Sequence, residues 1–435
     1  MMNKLRLYCG IALILLASGL AAQSSDRTIT IIRGYDDPFR ISIVPFTWDG
    51  PGSAPSEFSE IVEANLERTG QFDPLPRDQM RSWPTRRESM VFREWRLLNQ
   101  DYVVIGRAQP RDDNRVEITY ELYDPYSERR LLGRSVTGDR DQWRQLAHRA
   151  SDAIYEEITG VRGVFSTKIA YVAIEQTGSG RSHTLYVADA DGFNEEPWFE
   201  SERPLMSPAW SPDARQIAFV TFAPDGSSEV RILDLDSGNV RIVAERQGAI
   251  NSAPAFSPDG RRLAFTSSRD GAANIYVMDL SNGRLQQVTR HWAIDTEPDW
   301  LDNNTLVYTS GRSGRPQIYR LRIGSDNAER LTFDGRYNAR PRVAESGNRI
   351  VMVHNDGDGY NIATMDLNNR VLQVLTGNPQ DEAPSLAPNG SMVVYASTQG
   401  GTSRLAWVSI DGMVENVMPS RFGNVREPAW SPFTY

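Results

Sequence analysis

Cysteine is nearly missing from this 435-residue chain, which contains only Cys9. No disulfide framework and no thiolate metal site can be built from it. Histidine is scarce as well: His148, His183, His291 and His354 fall one to a segment, without ligand spacing. The sequence reads them as surface or loop residues. No nucleophile elbow, Walker loop, H-E-x-x-H or C-x-x-C occurs, which removes the usual signatures of hydrolases, nucleotide-binding proteins and redox enzymes. No cofactor and no catalytic residue is expected. Lysine is reduced to Lys4 and Lys168, so arginine supplies almost all positive charge; this reads as compositional bias rather than as an anion site. The net charge is −9, which disfavours nucleic acid or an anionic membrane surface as a partner.

One apolar run stands out. Residues 1–22 combine a basic start (Lys4, Arg6), a short apolar stretch and small residues ending at Ala21 and Ala22. That pattern is a cleaved secretory signal, too short for a mature membrane anchor. Insertion into a membrane is not expected.

What the chain has in quantity is repetition. PAFSPDGRRLAF at residues 254–265 echoes PAWSPDARQIAF from Pro208, PDWLDNNTLVY from Pro298, PRVAESGNRIVM from Pro341 and PSLAPNGSMVVY from Pro384, and a truncated PAWSPFTY from Pro428 ends the chain. A period in the low-to-mid forties, with several short β-rich runs per copy, marks four-stranded propeller blades. Proline at the opening suits a strand with a free edge, here the innermost one. S-P-D-G is a turn by composition. The first second-strand, KIAYV at Lys168, has no P-x-W segment before it, and PAWSP at the end has nothing after it. Pairing them completes a sixth blade and closes the ring, which removes open sheet edges. The repeated Trp210, Trp300 and Trp430 read as packing between blades. Acid-rich turns at Asp189 and Asp191, and at Asp356 and Asp358, resemble pieces of a calcium loop without its remaining ligands, so no metal site is expected.

Ahead of the ring the pattern is mixed. A helix capped by Ser56 and stopped at Gly70, a second over 88–99 and a third over 141–159 alternate with strands near 41–46, 102–106, 116–122 and 130–137. The fold class is therefore mainly β: a C-terminal six-bladed β-propeller preceded by a small α/β domain. The division reads 1–22 signal, 23–38 strand-forming tail, 39–160 α/β domain and 161–435 propeller. The tail, DRTITIIRGY, suits either an edge strand or a segment that adds to a partner's sheet.

Loops that enter the innermost strands vary while the strands repeat: QGAINSA, HWAIDTE, GRYNAR, NPQDEA and FGNVRE. Varied loops on a repeated scaffold point to recognition at one mouth of the ring. The residues alone stop at an exported binding ring with an α/β appendage. A carbohydrate-binding lectin of the envelope is the alternative, for which only Trp292 has the right position. A propeller-gated peptidase would need a hydrolase domain that no segment can house.

Beyond that, IVPFTWDGPGSAP at Ile43, LMSPAWSPDARQIAFVTF at Leu205, APAFSPDGRRLAFTSS at Ala253, NIYVMDL at Asn274, DEAPSLAPNG at Asp381 and the closing REPAWSP resemble the TolB family, periplasmic components of the Tol-Pal envelope system. The resemblance covers the whole mature chain. It implies a non-enzymatic adaptor whose ring binds the lipoprotein Pal and whose N-terminal segment binds TolA, supporting outer-membrane integrity and constriction at division. Other outer-membrane or peptidoglycan-associated proteins fit the same role. Carried over by position, the Pal-facing candidates are Ile250, Asn251, Ala253, Thr296 and Glu297; Arg340, Glu382 and Arg426 complete the rim by geometry. The TolA-facing candidates are Thr28, Ile29, Thr30, Ile31, Ile32, Arg33 and Gly34.

Overall fold

The computed structural model describes residues 37–52, 58–112, 114–178 and 180–434, and the backbone of 30–33. The signal segment at 1–22, the cap expected at Ser56, and Thr28, Ile29 and Gly34 of the tail lie outside the described residues.

Two units follow one another. In the first, the sheet runs in the order Phe72–Pro74, Phe39–Ile43, Tyr102–Pro110, Arg115–Asp124, Arg129–Asp139, parallel at one side and antiparallel at the other. Helices α1 (Phe58–Arg68) and α3 (Trp143–Thr159) bury Phe58, Val62, Leu66, Leu146 and Ile154 against the sheet face bearing Val104, Ile118 and Tyr120. Gly160 ends α3 at φ 73°, a conformation that costs glycine little. The helix expected over 88–99 shrinks to α2 (Phe92–Leu97), because Val91 is extended and leaves a separate 3-10 turn at Arg87–Ser89. α2 covers the opposite sheet face, where Phe92 and Trp95 pack on Val103, Ile105 and Tyr123.

The second unit is six four-stranded antiparallel blades. Closure occurs where the repeat count places it. Val425–Trp430 pairs with Lys168–Thr177, with Ala429 opposite Ala170 and Trp430 opposite Ile169. Two of the three repeated tryptophans staple neighbouring blades through the indole, and the third ties together the two chain ends of the closing blade. Indole Nε1 of Trp210 donates to Ala429 O (2.9 Å), that of Trp300 to Ala255 O (3.0 Å), and that of Trp430 to Thr167 Oγ1 (2.8 Å). Each ring buries a large apolar surface while its one donor is satisfied.

Every innermost strand carries the same defect. Ser207, Ala253, Glu297, Arg340, Ala383 and Glu427 each precede the repeat proline and each has φ between 49° and 54°. The ladder register slips at that point in all six strands. A left-handed residue followed by proline is a β-bulge: the first residue turns the chain and the second needs no ladder donor. None of the six is glycine, so each bulge holds backbone strain of order 1–3 kcal/mol. The fold accepts that strain six times, and the result is a ring of six side chains set around the channel axis.

The two units meet at one end of the ring. Asp152 of α3 accepts Phe165 N (2.7 Å) and the Ser166 hydroxyl at the connecting segment. Asn416 of the sixth blade donates to Arg68 O at the end of α1 (2.9 Å). Beside it, Thr30–Arg33 adds as a fifth strand to Glu415–Val417, with Ile31 opposite Asn416.

Candidate functional site

Three of the six bulge residues are charged, and they meet across the axis. Arg340 Nε lies 3.0 Å from Glu297 Oε1, and its NH2 lies 3.1 Å from Glu427 Oε1. Glu297 Oε2 also accepts Thr309 Oγ1 (2.8 Å) and Arg340 N (2.9 Å), while Glu427 Oε2 accepts Ser207 N (3.1 Å). Glu427 holds Arg340 firmly protonated, with Glu297 adding to it against the cost of burial. Burial by itself would raise Glu427, but Arg340 and the Ser207 amide outweigh it and leave the carboxyl below its ordinary value. Arg340 thus bridges carboxylates from two other blades. A cavity of about 340 Å³ on the far side is walled by Trp210, Phe256, Leu386 and Trp430.

Above the triad lies a cavity of about 560 Å³ that includes Glu297, Tyr337, Tyr360, Asp381, Glu382 and Arg426. The structure sorts the candidates read from sequence. Ile250 is exposed (61%), on a loop clamped by Ser268, whose hydroxyl accepts Ile250 N at 2.9 Å. Asn251 is fully buried, with Nδ2 on Ser228 O (2.8 Å) and Oδ1 accepting the Ser267 hydroxyl (2.8 Å). It holds the loop and presents no side chain to a partner. Ala253 is a buried bulge residue. Thr296 is half-buried and accepts Thr266 Oγ1 (3.2 Å), tying two blades together. Glu297 and Arg340 sit on the axis rather than on the rim. Glu382 and Arg426 remain on the rim, half-exposed and 4.0 Å apart.

Glu427, a charged mouth-loop residue, was not among the Pal-facing candidates, although its place before Pro428 matches Glu297 before Pro298 and Arg340 before Pro341. Trp292 (82% exposed), weighed in the sequence only as a sugar contact, and Ile294 (60% exposed), also outside the Pal-facing candidates, lie in the mouth loop next to that of Ile250. These three are the large apolar side chains offered to solvent at this mouth by the third and fourth blades.

Asp381 is the odd acid of the rim. In the fourth blade the matching Asp295 meets Arg312 NH2 at 2.8 Å, but the position matching Arg312 is Gln399 in the sixth blade. Burial without a cation raises the Asp381 carboxyl to about 6, and its Oδ2 has no hydrogen-bond partner. Folding therefore favours the protonated form. The contribution of this group is fullest below about pH 4 and is lost as pH rises through about 6. Asp381→Asn should raise stability at pH 7.5 by about 1–2 kcal/mol. Urea unfolding at pH 7.5 and pH 4 checks this, because the gain must vanish at the lower pH.

The expectation of surface histidines is corrected. His148, His183 and His354 are buried. His354 Nδ1 is bonded to Asn338 Oδ1 (2.8 Å) inside the fifth blade. His148 lies at the junction of the two units, with Nε2 3.6 Å from Asp191 Oδ2 and 3.9 Å from Asp189 Oδ2. These three are the one group among the described residues with donor atoms close enough to share a metal. The carboxylates are already taken, since Lys168 Nζ sits 2.5 Å from Asp189 and Arg144 pairs with Asp191. A divalent cation there would face both charges, so the donor set suits an ion-pair cluster and not a metal.

Comparison with known proteins agrees with this geometry. The profile described as "TolB beta propeller domain" matches residues 155–434, and that described as "TolB amino-terminal domain" matches residues 27–131. The chain is 42% identical over 436 residues to "Tol-Pal system protein TolB" of Xanthomonas campestris pv. campestris (strain B100), covering 100% of this chain and 99% of that relative. It is 45% identical over 416 residues to the protein of the same name from Thioalkalivibrio sulfidiphilus (strain HL-EbGR7), covering 95% of each. The crystal structure of TolB from Acinetobacter baumannii superposes with a TM-score of 0.85 at 36% identity, covering 93% of this chain and 99% of that one.

Proposed function

Because the chain belongs to the TolB family, we propose that it is a non-enzymatic periplasmic adaptor of the Tol-Pal system, divided into a tail (23–38), an α/β unit (39–160) and a ring (161–435) after removal of a signal peptide. The ring binds Pal at the mouth above the Arg340 triad, and the tail binds TolA. Together they support outer-membrane integrity and constriction during division. The observation that carries this reading is that exposed Ile250, Trp292 and Ile294 and the charged Glu382 and Arg426 all lie on loops or strand starts at one mouth. Large apolar anchors ringed by polar groups are what a protein interface uses.

The tail has a second role in the same scheme. Its strand Thr30–Arg33 occupies the free edge of Glu415–Val417, so release of that strand would bare one sheet edge and supply another for β-addition to TolA. Titration of the purified protein with Pal tests the first half. Trp292→Ala should weaken Pal binding at least tenfold, the loss typical of a truncated aromatic anchor. Deleting residues 26–34 should abolish TolA binding and leave Pal bound. Loss of both partners on deletion refutes the division of labour; sugar elution of the ring from envelope extract favours the lectin alternative.

A further inference from the structure

On the sheet face opposite α1 and α3, away from the ring, four arginines converge on one cavity of about 440 Å³: Arg86, Arg87, Arg107 and Arg130. The acids in its wall are Glu88 and Glu121, so the wall carries an excess of positive charge within an acidic chain. Glu121 is fully engaged. Its Oε2 accepts the Tyr123 hydroxyl (2.7 Å) and its Oε1 meets Arg130 NH1 (3.0 Å). Arg86 has only a distant partner, Asp49, at 4.0 Å. Arg87 makes no ion pair among the described residues, and Arg107 makes no close one, feeling only the charge of Glu117, which Gln109 and Arg111 already engage.

Arg87 is exposed but not loose. The Arg87 guanidinium lies 4.4 Å from the Phe92 ring centre. Phe92 is buried and packs edge-on against buried Tyr123 with ring centres 5.8 Å apart. Stacking fixes the plane of Arg87 and leaves its N–H edge unused. Arg107 rises from the strand Tyr102–Pro110 and is half-buried. Two planar forks, one of them stacked on a buried ring and neither in a close ion pair, match the oxygens of a tetrahedral oxyanion.

We propose that this pocket binds a phosphate group, gripped by Arg87 and Arg107 with Arg86 and Arg130 at its edge. The group can belong to a soluble phosphate or to an anionic lipid headgroup, and the site is independent of the partner assignments made for the ring and the tail. Calorimetric titration of the full-length protein with inorganic phosphate in low-salt buffer should give a saturable isotherm. Arg107→Ala and Arg87→Ala should each weaken it at least tenfold, and so should Arg87→Lys, which keeps the charge and loses the fork. Arg246→Ala, on the propeller surface, should change nothing. Circular dichroism confirms that each variant is folded. Sedimentation with phosphatidylglycerol vesicles that depends on Arg87 and Arg107 identifies a headgroup as the source; a phosphate isotherm without sedimentation identifies a soluble phosphate. An isotherm that never saturates, one unchanged in the Arg87 and Arg107 variants, or one equally weakened by Arg246→Ala overturns the proposal.

Discussion

Arg340→Ala should cost about 3–5 kcal/mol of folding stability at neutral pH, the range for removing one partner of a buried ion pair. The reason is what remains. Glu297 and Glu427 would share the channel axis with no cation between them, left with the Thr309 hydroxyl, the backbone amides of residues 340 and 207, and the weaker charge of Arg342. Adding Glu297→Gln and Glu427→Gln to the same variant should recover most of the loss, since amides can still accept from Thr309 and Ser207 without a charge to desolvate. The pH dependence has a definite sign. In the native protein the Glu427 carboxyl lies below its ordinary value, so its contribution is complete above about pH 4.5 and is lost as pH falls through the folded value. Without Arg340 the Glu427 carboxyl loses the cation that outweighs its burial, so the deficit of the alanine variant should shrink towards pH 4. Urea midpoints at pH 7.5 and pH 4 read both effects. A neutral-pH loss below about 1 kcal/mol would mean that water, not Arg340, satisfies the carboxylates.

The ring could be counted from the chain because each blade repeats its chemistry locally. Proline, the S-P-D-G turn and two apolar runs sit at fixed offsets, and closure follows from the unmatched ends at Lys168 and Pro428. The bulge was not visible in the same way. Proline announces a strand without a ladder donor, but the left-handed residue before it is Ser, Ala, Glu or Arg, none of which signals positive φ. That geometry turns Glu297 and Arg340 from the rim to the axis and brings in Glu427. Asn251 illustrates a different failure. Its place in a variable loop suggested contact with a partner, yet an amide has both donor and acceptor and is equally able to lock two strands together, which is what it does. The histidines were misjudged because burial depends on what folds over a residue, and His148 is covered by Asp189 and Asp191 of the second unit, 41 and 43 residues further along the chain.

That cover is where the second large effect is expected. Asp191→Ala should destabilise the protein by about 3 kcal/mol or more, because Arg144, His148 and Arg68 all face this buried carboxylate across the junction. Asp189 and Asp152 also face the cluster, and Lys168 neutralises Asp189. Asn65 Nδ2 donates to His148 Nδ1 (2.9 Å), which puts the ring proton on Nε2, pointing at the acids. Burial keeps His148 neutral, lowering it from its ordinary value despite Asp191 and Asp189. Its contribution is therefore present above about pH 6.5 and is lost as pH falls through the folded value. Replacing His148 by glutamine should remove that acid-side decline while leaving the decline from Glu427 lower on the scale. The junction also carries the edge to which the tail is paired, since Asn416 holds Arg68 O and stands opposite Ile31. Loosening the cluster should thus raise amide exchange at residues 30–33 and 415–417 more than in the third or fourth blade. Hydrogen exchange of the Asp191→Ala protein under native conditions measures this directly, and uniform exchange across the ring would show that the junction and the tail edge are energetically separate.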